Sequence, residues 1–203
     1  EALDRLVRPG MTVADVGANI GKHTLALADR VGPEGHVHAF EPFPGNVERL
    51  RYHVQTAGLS DRVTIRAGAV NDGSVDRVAL HPGRGHSGAE WNIVGHDADG
   101  KPTDAELYVP AFRLDDVFPP GHRLDVLKID VEGAEHLVLR GMRRLLEEQR
   151  PALVIEVHDA DNWAACHRLA EAGYQLQSLA GSPQQASDPV QGHLVALPDA
   201  ASG

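Results

Sequence analysis

The sequence is poor in several things, and each shortage narrows the field. It holds one cysteine, Cys166, in 203 residues. No internal disulfide can form, which suits a reducing cytoplasm, the expected location. No apolar run approaches the roughly 20 residues needed to span a bilayer, and no signal-peptide pattern opens the sequence, so no membrane partner is expected. Basic residues are outnumbered: 19 Lys and Arg against 29 Asp and Glu, a formal net charge of −10. A nucleic-acid substrate needs a basic face, and this balance argues against one. The basic cluster Arg140, Arg143, Arg144 and Arg150 reads as a solvated helix face balanced by Glu147 and Glu148. The histidines, His81, His86 and His96 among them, show no zinc spacing. There is no internal repeat and no domain boundary.

What remains is a single α/β domain, 1–203, long enough for a real core. An apolar helical stretch at 1–7 is stopped by Pro9-Gly10. Strand one is predicted at 11–16, a helix at 21–31, strand two at 36–40, a helix at 46–57 with Gly58 as its C-cap, and strand three at 62–66. This β-α-β-α-β order predicts a doubly wound, mostly parallel, Rossmann-like sheet. The stretch 71–123 departs from the rhythm. Short β-like pieces at 75–80, 89–94 and 106–112, with loops at 81–88 and 96–104, predict a β-hairpin insertion before strand four, and such insertions carry specificity. The rhythm returns with strand four at 124–129, one long helix at 134–148, strand five at 151–157 and a helix at 162–172. An antiparallel pair closes the chain at 174–179 and 193–197, joined by a polar loop at 181–192 that reads as mobile.

Three stretches carry chemistry. In the first, Asp15-Val16-Gly17-Ala18-Asn19-Ile20-Gly21 lies between strand one and its helix. Glycines at such a corner admit a ligand close to the main chain, and the corner is expected to leave free N–H groups at the helix start. Asp15 can accept a hydrogen bond from a cofactor amine or hold the turn together. Glu41 ends strand two, where doubly wound sheets place a carboxylate on ribose hydroxyls. The dinucleotide pattern Gly-x-Gly-x-x-Gly, whose pyrophosphate rests on a helix N-terminus, is absent. A carboxylate ahead of the glycines instead suits a ligand with an ammonium and a sulfonium, S-adenosyl-L-methionine.

The second stretch is Lys128-Ile129-Asp130-Val131-Glu132-Gly133-Ala134-Glu135. Asp130 ends strand four, where open α/β sheets place their sites. Glu132 and Glu135 open the next helix, where acids meet the helix dipole, so Glu135 reads as a capping residue. Lys128 is either buried beside the site or paired on the far face. The third stretch, Glu156-Val157-His158-Asp159, ends strand five, with Glu156 and His158 on one face and Val157 opposite. His158 reads either as a general base or as a hydrogen-bonded rim residue. Asp130, Glu156, His158 and Asp159 are oxygen-rich enough for a divalent cation, but no spaced ligand motif demands a metal and none is favoured.

These stretches together resemble the FkbM family of S-adenosylmethionine-dependent methyltransferases. The resemblance rests on Asp-Val-Gly-Ala-Asn-Ile-Gly at 15–21, Ala-Phe-Glu-Pro at 39–42 followed by Asn46 and Leu50, Leu-Asp-Asp at 114–116, Lys-Ile-Asp-Val-Glu-Gly-Ala-Glu at 128–135 and Arg-Pro-Ala-Leu-Val-Ile-Glu at 150–156. It implies a class I methyltransferase fold and methyl transfer, most often to oxygen. By that likeness Asp15, Gly17, Ala18, Asn19, Gly21, Glu41, Pro42, Asn46, Ala69 and Val70 would contact the cofactor. Asp130 would lie near its methionine end or the acceptor. The expected partner is a small-molecule acceptor bearing a hydroxyl, of a sugar or a natural product. His158 leads as the catalytic base, with Asp130 and Glu132 in reserve. The rival readings are an NAD-dependent oxidoreductase of the same layered class and a nucleoside-binding module without chemistry.

Overall fold

A computed structural model describes residues 2–82, 91–93, 107–185, 188 and 192–199. Residues 83–88 of the loop read at 81–88, the loop read at 96–104, with His86 and His96, and part of the loop at 181–192 lie outside the described residues, while 81–82 belong to a strand. Helix α1 (Ala2–Leu6) precedes β1 (Thr12–Val16), α2 (Lys22–Val31), β2 (His36–Glu41), α3 (Pro44–Thr56), β3 (Val63–Ala67) and β4 (Ala69–Asn71). The insertion holds β5 (Arg77–Pro82), β6 (Trp91–Ile93), β7 (Leu107–Arg113) and α4 (Leu114–Val117). Then come β8 (Val126–Ile129), α5 (Glu135–Arg140), α6 (Arg143–Glu148), β9 (Ala152–Glu156), α7 (Ala160–Glu171), β10 (Tyr174–Gln177) and β11 (His193–Pro198).

The main sheet runs β10-β11-β9-β8-β1-β2-β3. It is parallel from β9 to β3, with β11 antiparallel to both its neighbours. The fold is the doubly wound α/β class read from the sequence. Period-two alternation sorts each central strand between two cores. Val13, Val37, Ala39 and Val126 pack with Leu27, Val31, Leu50 and Val54 on the α2–α3 side. Ala14, Val16, Phe40, Leu127 and Ile129 pack with Val138, Met142 and Leu145 on the α5–α6 side. The same alternation sends Asp15 and Lys128, direct neighbours across β1 and β8, to the α2–α3 side. The insertion forms a second sheet, β4-β7-β5-β6, with β5 antiparallel to β6 and β7.

Three expectations need correction. The long helix at 134–148 is two helices, because β4 passes so close that a Cβ on Gly141 would sit 2.1 Å from the Asn71 carbonyl oxygen. Buried Asp115 then starts α6, its carboxylate accepting from the N–H groups of Arg144 and Leu145, both at 3.1 Å. β4 and α4 went unread because three or four residues show no periodicity. The arginines are not all solvated. Arg144 donates to the carbonyl oxygens of Asp115 and Phe118, and Arg150 donates to those of Ala172 and Gly173 while lying over the Tyr174 ring. These two staple chain segments, while Arg144 also pairs with Glu148 at 3.0 Å as expected.

Candidate functional site

A cavity opens at the carboxyl ends of β1, β2 and β8, where strand order reverses between β1 and β8 and parallel sheets bind ligands. Gly17, Asn19, Glu41, Pro42, Asn46, Ala69, Val70, Asp130 and Glu132, all expected at the site, line it. Val16, Phe40 and Val131, which stand inside the quoted motifs but were given no role, also line it, as do Phe43, Gly68 and Leu80, which went unread. Leu80 comes from β5, so the insertion reaches the cavity wall.

The glycine turn is built by close approach. Gly17 has φ +81, and a Cβ there would lie 1.7 Å from the Asp130 carbonyl oxygen, so no side chain fits. Asn19 takes the left-handed region at φ 51, which asparagine tolerates. The N–H groups of the turn itself are not free, whereas the start of α2, where free N–H groups are expected, has no side-chain cap. Gly17 and Ala18 donate to the Phe40 carbonyl at 3.0 and 2.9 Å, and Gly21 donates to the Ala18 carbonyl at 2.9 Å. Asn19 donates to Glu41 Oε2 and Ile20 to Asn19 Oδ1, each at 2.8 Å. The N–H groups from Gly17 to Gly21 are thus satisfied within the protein, and none of them is left to cradle a pyrophosphate.

Asp15 does not face the cavity either. It is fully buried, and Thr24 Oγ1 donates to its Oδ2 at 2.6 Å. Its Oδ1 lies 3.3 Å from Lys128 Nζ, an ion pair without hydrogen-bond alignment. Of the two roles open to it in the sequence, the geometry shows the one that holds the turn. Ala18 and Gly21 likewise support the wall from behind: Ala18 packs in the α2–α3 core, and a Cβ on Gly21 would meet Leu50 Cδ1 at 2.6 Å.

Lys128 is the hub, buried beside the site. Its ammonium donates to the Gly17 carbonyl at 2.9 Å and stands 3.2 Å from Asp130 Oδ2. Burial alone would lower its proton affinity, but the charges of Asp15 and Asp130 outweigh that and raise it. One ammonium against two carboxylates leaves a net negative charge beside Gly17. Asp130, 28% exposed at its side chain, carries it to the cavity. At the other wall Glu41, 5% exposed, accepts from Phe43 N and Asn19 N at 2.9 and 2.8 Å and from Asn46 Nδ2 at 3.3 Å. Burial pushes its carboxyl above the ordinary range, against the hydrogen bonds that favour the charged form. Glu41 Oε2 accepts one of these bonds and keeps capacity for a ligand hydroxyl.

The rim beyond Asp130 is strained and charged. Glu132 has φ 53, and Gly133 after it has φ 99. Buried Asn162 on α7 pins this turn, donating to the Gly133 carbonyl at 3.0 Å while its Oδ1 accepts from His136 N at 2.9 Å. Asp159 caps α7, accepting from Asn162 N at 2.7 Å. The side chain of His158 stands between two carboxylates, with Nδ1 2.6 Å from Glu135 Oε1 and Nε2 3.3 Å from Glu132 Oε2. Glu135 does more than the expected capping: it accepts from Gly133 N at 3.1 Å ahead of α5, and it is also fully buried against His158. Ligand atoms of Asp130, Glu156 and His158 lie within 4.8 Å of one another. Lys128 already meets Asp130, and His193 Nε2 lies 3.3 Å from Glu156 Oε2, so this cluster finds its partners within the protein.

Residues 15–176 match the family model of the methyltransferase FkbM domain. The chain is 30% identical over 178 residues to the 31-O-demethyl-FK506 methyltransferase FkbM of Streptomyces tacrolimicus, covering 76% of this chain and 68% of that protein. A shorter match, 39% over 75 residues, joins it to a protein-L-isoaspartate O-methyltransferase of Hyperthermus butylicus, covering 34% of this chain and only 30% of that one. The solved methyltransferase FkbM of Methylobacillus flagellatus superposes with TM-score 0.61 at 18% identity, over 97% of this chain and half, 50%, of the other. The family model covers most of the chain and takes in the glycine turn, Glu41 and the Asp130 rim, the same three pieces that enclose the cavity. On that agreement of sequence and geometry, the chain belongs to the FkbM methyltransferase family.

Proposed function

We propose that the chain is an S-adenosyl-L-methionine-dependent O-methyltransferase acting, as one domain, on a hydroxyl of a small molecule. The observation that carries this reading is the cavity with Glu41 on one wall and Asp130 on the other, either side of a glycine turn whose own N–H groups are spent. Glu41 would take the ribose hydroxyls, Ala69, Val70 and Leu80 the flat face of the base, and Asp130 the ammonium. When bound, S-adenosyl-L-methionine supplies an electrophilic methyl whose sulfonium departs as a neutral thioether. The protein's part is to align the two reactants, keep water out and hold a base at the acceptor hydroxyl. His158 is that base, with Asp130 and Glu132 beside it. Two relatives support a hydroxyl-bearing small molecule: the 31-O-demethyl-FK506 methyltransferase, and a hexuronic acid methyltransferase of Haloferax volcanii at 28% identity over 149 residues.

Titration calorimetry tests the cofactor. S-adenosylhomocysteine is expected to bind and NAD to give no heat. NAD binding that S-adenosylhomocysteine cannot displace overturns the reading. A mass-spectrometric screen of sugar and natural-product hydroxyls is expected to show the gain of one methyl, and His158→Ala to abolish it.

A further inference from the structure

Glu135 is fully buried, yet one of its carboxylate oxygens, Oε2, has no hydrogen-bond partner. The other, Oε1, accepts from Gly133 N at 3.1 Å and faces His158 Nδ1 at 2.6 Å. A buried carboxylate needs a partner of opposite charge. Among the described residues, its ion-pair partner is His158. The ring that faces it at 2.6 Å is the group placed to supply that opposite charge. On the ring's opposite edge, Nε2 faces Glu132 Oε2 at 3.3 Å. A neutral imidazole with its proton on Nδ1 would aim a lone pair at that carboxylate. A doubly protonated ring turns the same contact into an attraction.

We infer that His158 rests as an imidazolium held between two carboxylates, Glu135 behind the ring and Glu132 in front, and that Glu135 is the residue that positions the ring for proton transfer at Nε2. The surroundings agree from every side. Glu132 and Asp130 face the ring from the turn after β8, Glu135 from α5 and Glu156 from β9, while Asp159 is engaged with Asn162 in capping α7. Burial alone would strip the ring of its proton. The hydrogen bond and charge of Glu135, then the charges of Glu132 and Glu156, outweigh it and hold His158 above its ordinary value.

The consequence for chemistry rests on the methyltransferase reading. A protonated histidine is no base. The Nε2 proton must first pass to Glu132 Oε2, whose side chain is 45% exposed and can release it to water. The freed Nε2 lone pair then takes the acceptor's hydroxyl proton, and the O–H electron pair stays on oxygen to form the new O–C bond. Turnover therefore rises with pH through the raised midpoint of His158.

The test is a pH titration of the ring nitrogens by long-range proton–nitrogen NMR on the full 15N-labelled chain, with His158→Asn identifying the signal. It needs no acceptor. Both ring nitrogens are expected to stay protonated past the pH at which a free imidazole loses a proton, with a midpoint above the ordinary 6.5. Glu135→Gln is expected to lower the midpoint by about one pH unit or more, and Glu132→Gln by less. The exposed Glu132 variant keeps the test open if the buried one fails to fold. A midpoint at or below the ordinary 6.5 in the parent, or one indifferent to both variants, overturns the inference. So does a midpoint that falls as magnesium chloride is added, which would make Nε2 a metal ligand. S-adenosylhomocysteine calorimetry on the same samples separates the two claims: its failure in the parent sinks the cofactor reading, not the imidazolium.

Discussion

The glycine turn at 15–21 and the rim at 130–135 lie against each other, and they are built on opposite principles. In the turn, every N–H from Gly17 to Gly21 is hydrogen-bonded inside the protein. Its acid, Asp15, is buried and neutralised by Lys128. The turn offers a shape: a wall with no side chain at Gly17. The rim offers charge. It holds Glu132 in a left-handed conformation and leaves Asp130 and Glu132 facing the cavity. Recognition by shape needs satisfied, rigid backbone, whereas proton transfer needs groups whose charge is not fully spent. Lys128 joins the two, bonded to the Gly17 carbonyl and paired with both Asp15 and Asp130.

The contrast can be broken most directly at that joint. Lys128→Met leaves Asp15 buried without its cation and is expected to cost about 3–5 kcal/mol of stability, read by chemical denaturation. An unchanged midpoint would mean that the hub is ornamental. Gly17→Ala attacks the turn alone. The added Cβ collides with the Asp130 carbonyl and the residue is held at φ +81, so a loss of about 2–4 kcal/mol is expected together with S-adenosylhomocysteine binding. Glu41→Gln keeps the shape and removes the charge. It is expected to weaken S-adenosylhomocysteine by about 1.5–3 kcal/mol, roughly ten- to a hundredfold, and to cost some stability, because its amide nitrogen must face the N–H of Asn19 or of Phe43.

A separate, pH-dependent effect lies away from both regions and serves as their control. His38 is pushed down to about 3 by burial, aided by Arg66, and accepts a hydrogen bond from Arg66 at 2.7 Å. The unfolded chain protonates it near 6.5 while the folded chain resists, so its contribution is present above 6.5 and is lost as pH falls from there toward 3. The melting temperature is expected to drop across that window, and less steeply in His38→Gln. Calorimetric scans check it.

Strand and helix order was legible because period-two and period-3.6 apolar patterns are written locally. Glu41 and Asp130 were legible because a parallel sheet binds at its carboxyl edge. Three errors share one origin. The unbroken helix at 134–148, the reading of Glu135 as a capping residue alone and the ligand-facing Asp15 each depended on a partner distant in sequence: Asn71 for Gly141, His158 for Glu135, Lys128 for Asp15. A carboxylate looks the same in a sequence whether it meets a ligand, a helix end or a buried lysine.

By itself, then, the sequence determined the layered α/β class, the strand order's parallel core and the carboxyl-edge acids, since backbone preference and apolar period need only near neighbours. The tertiary structure alone decided which acids keep their charge for a ligand. That choice is electrostatic, and the Asp15–Lys128 and Glu135–His158 pairs form only when strands remote in the chain lie side by side.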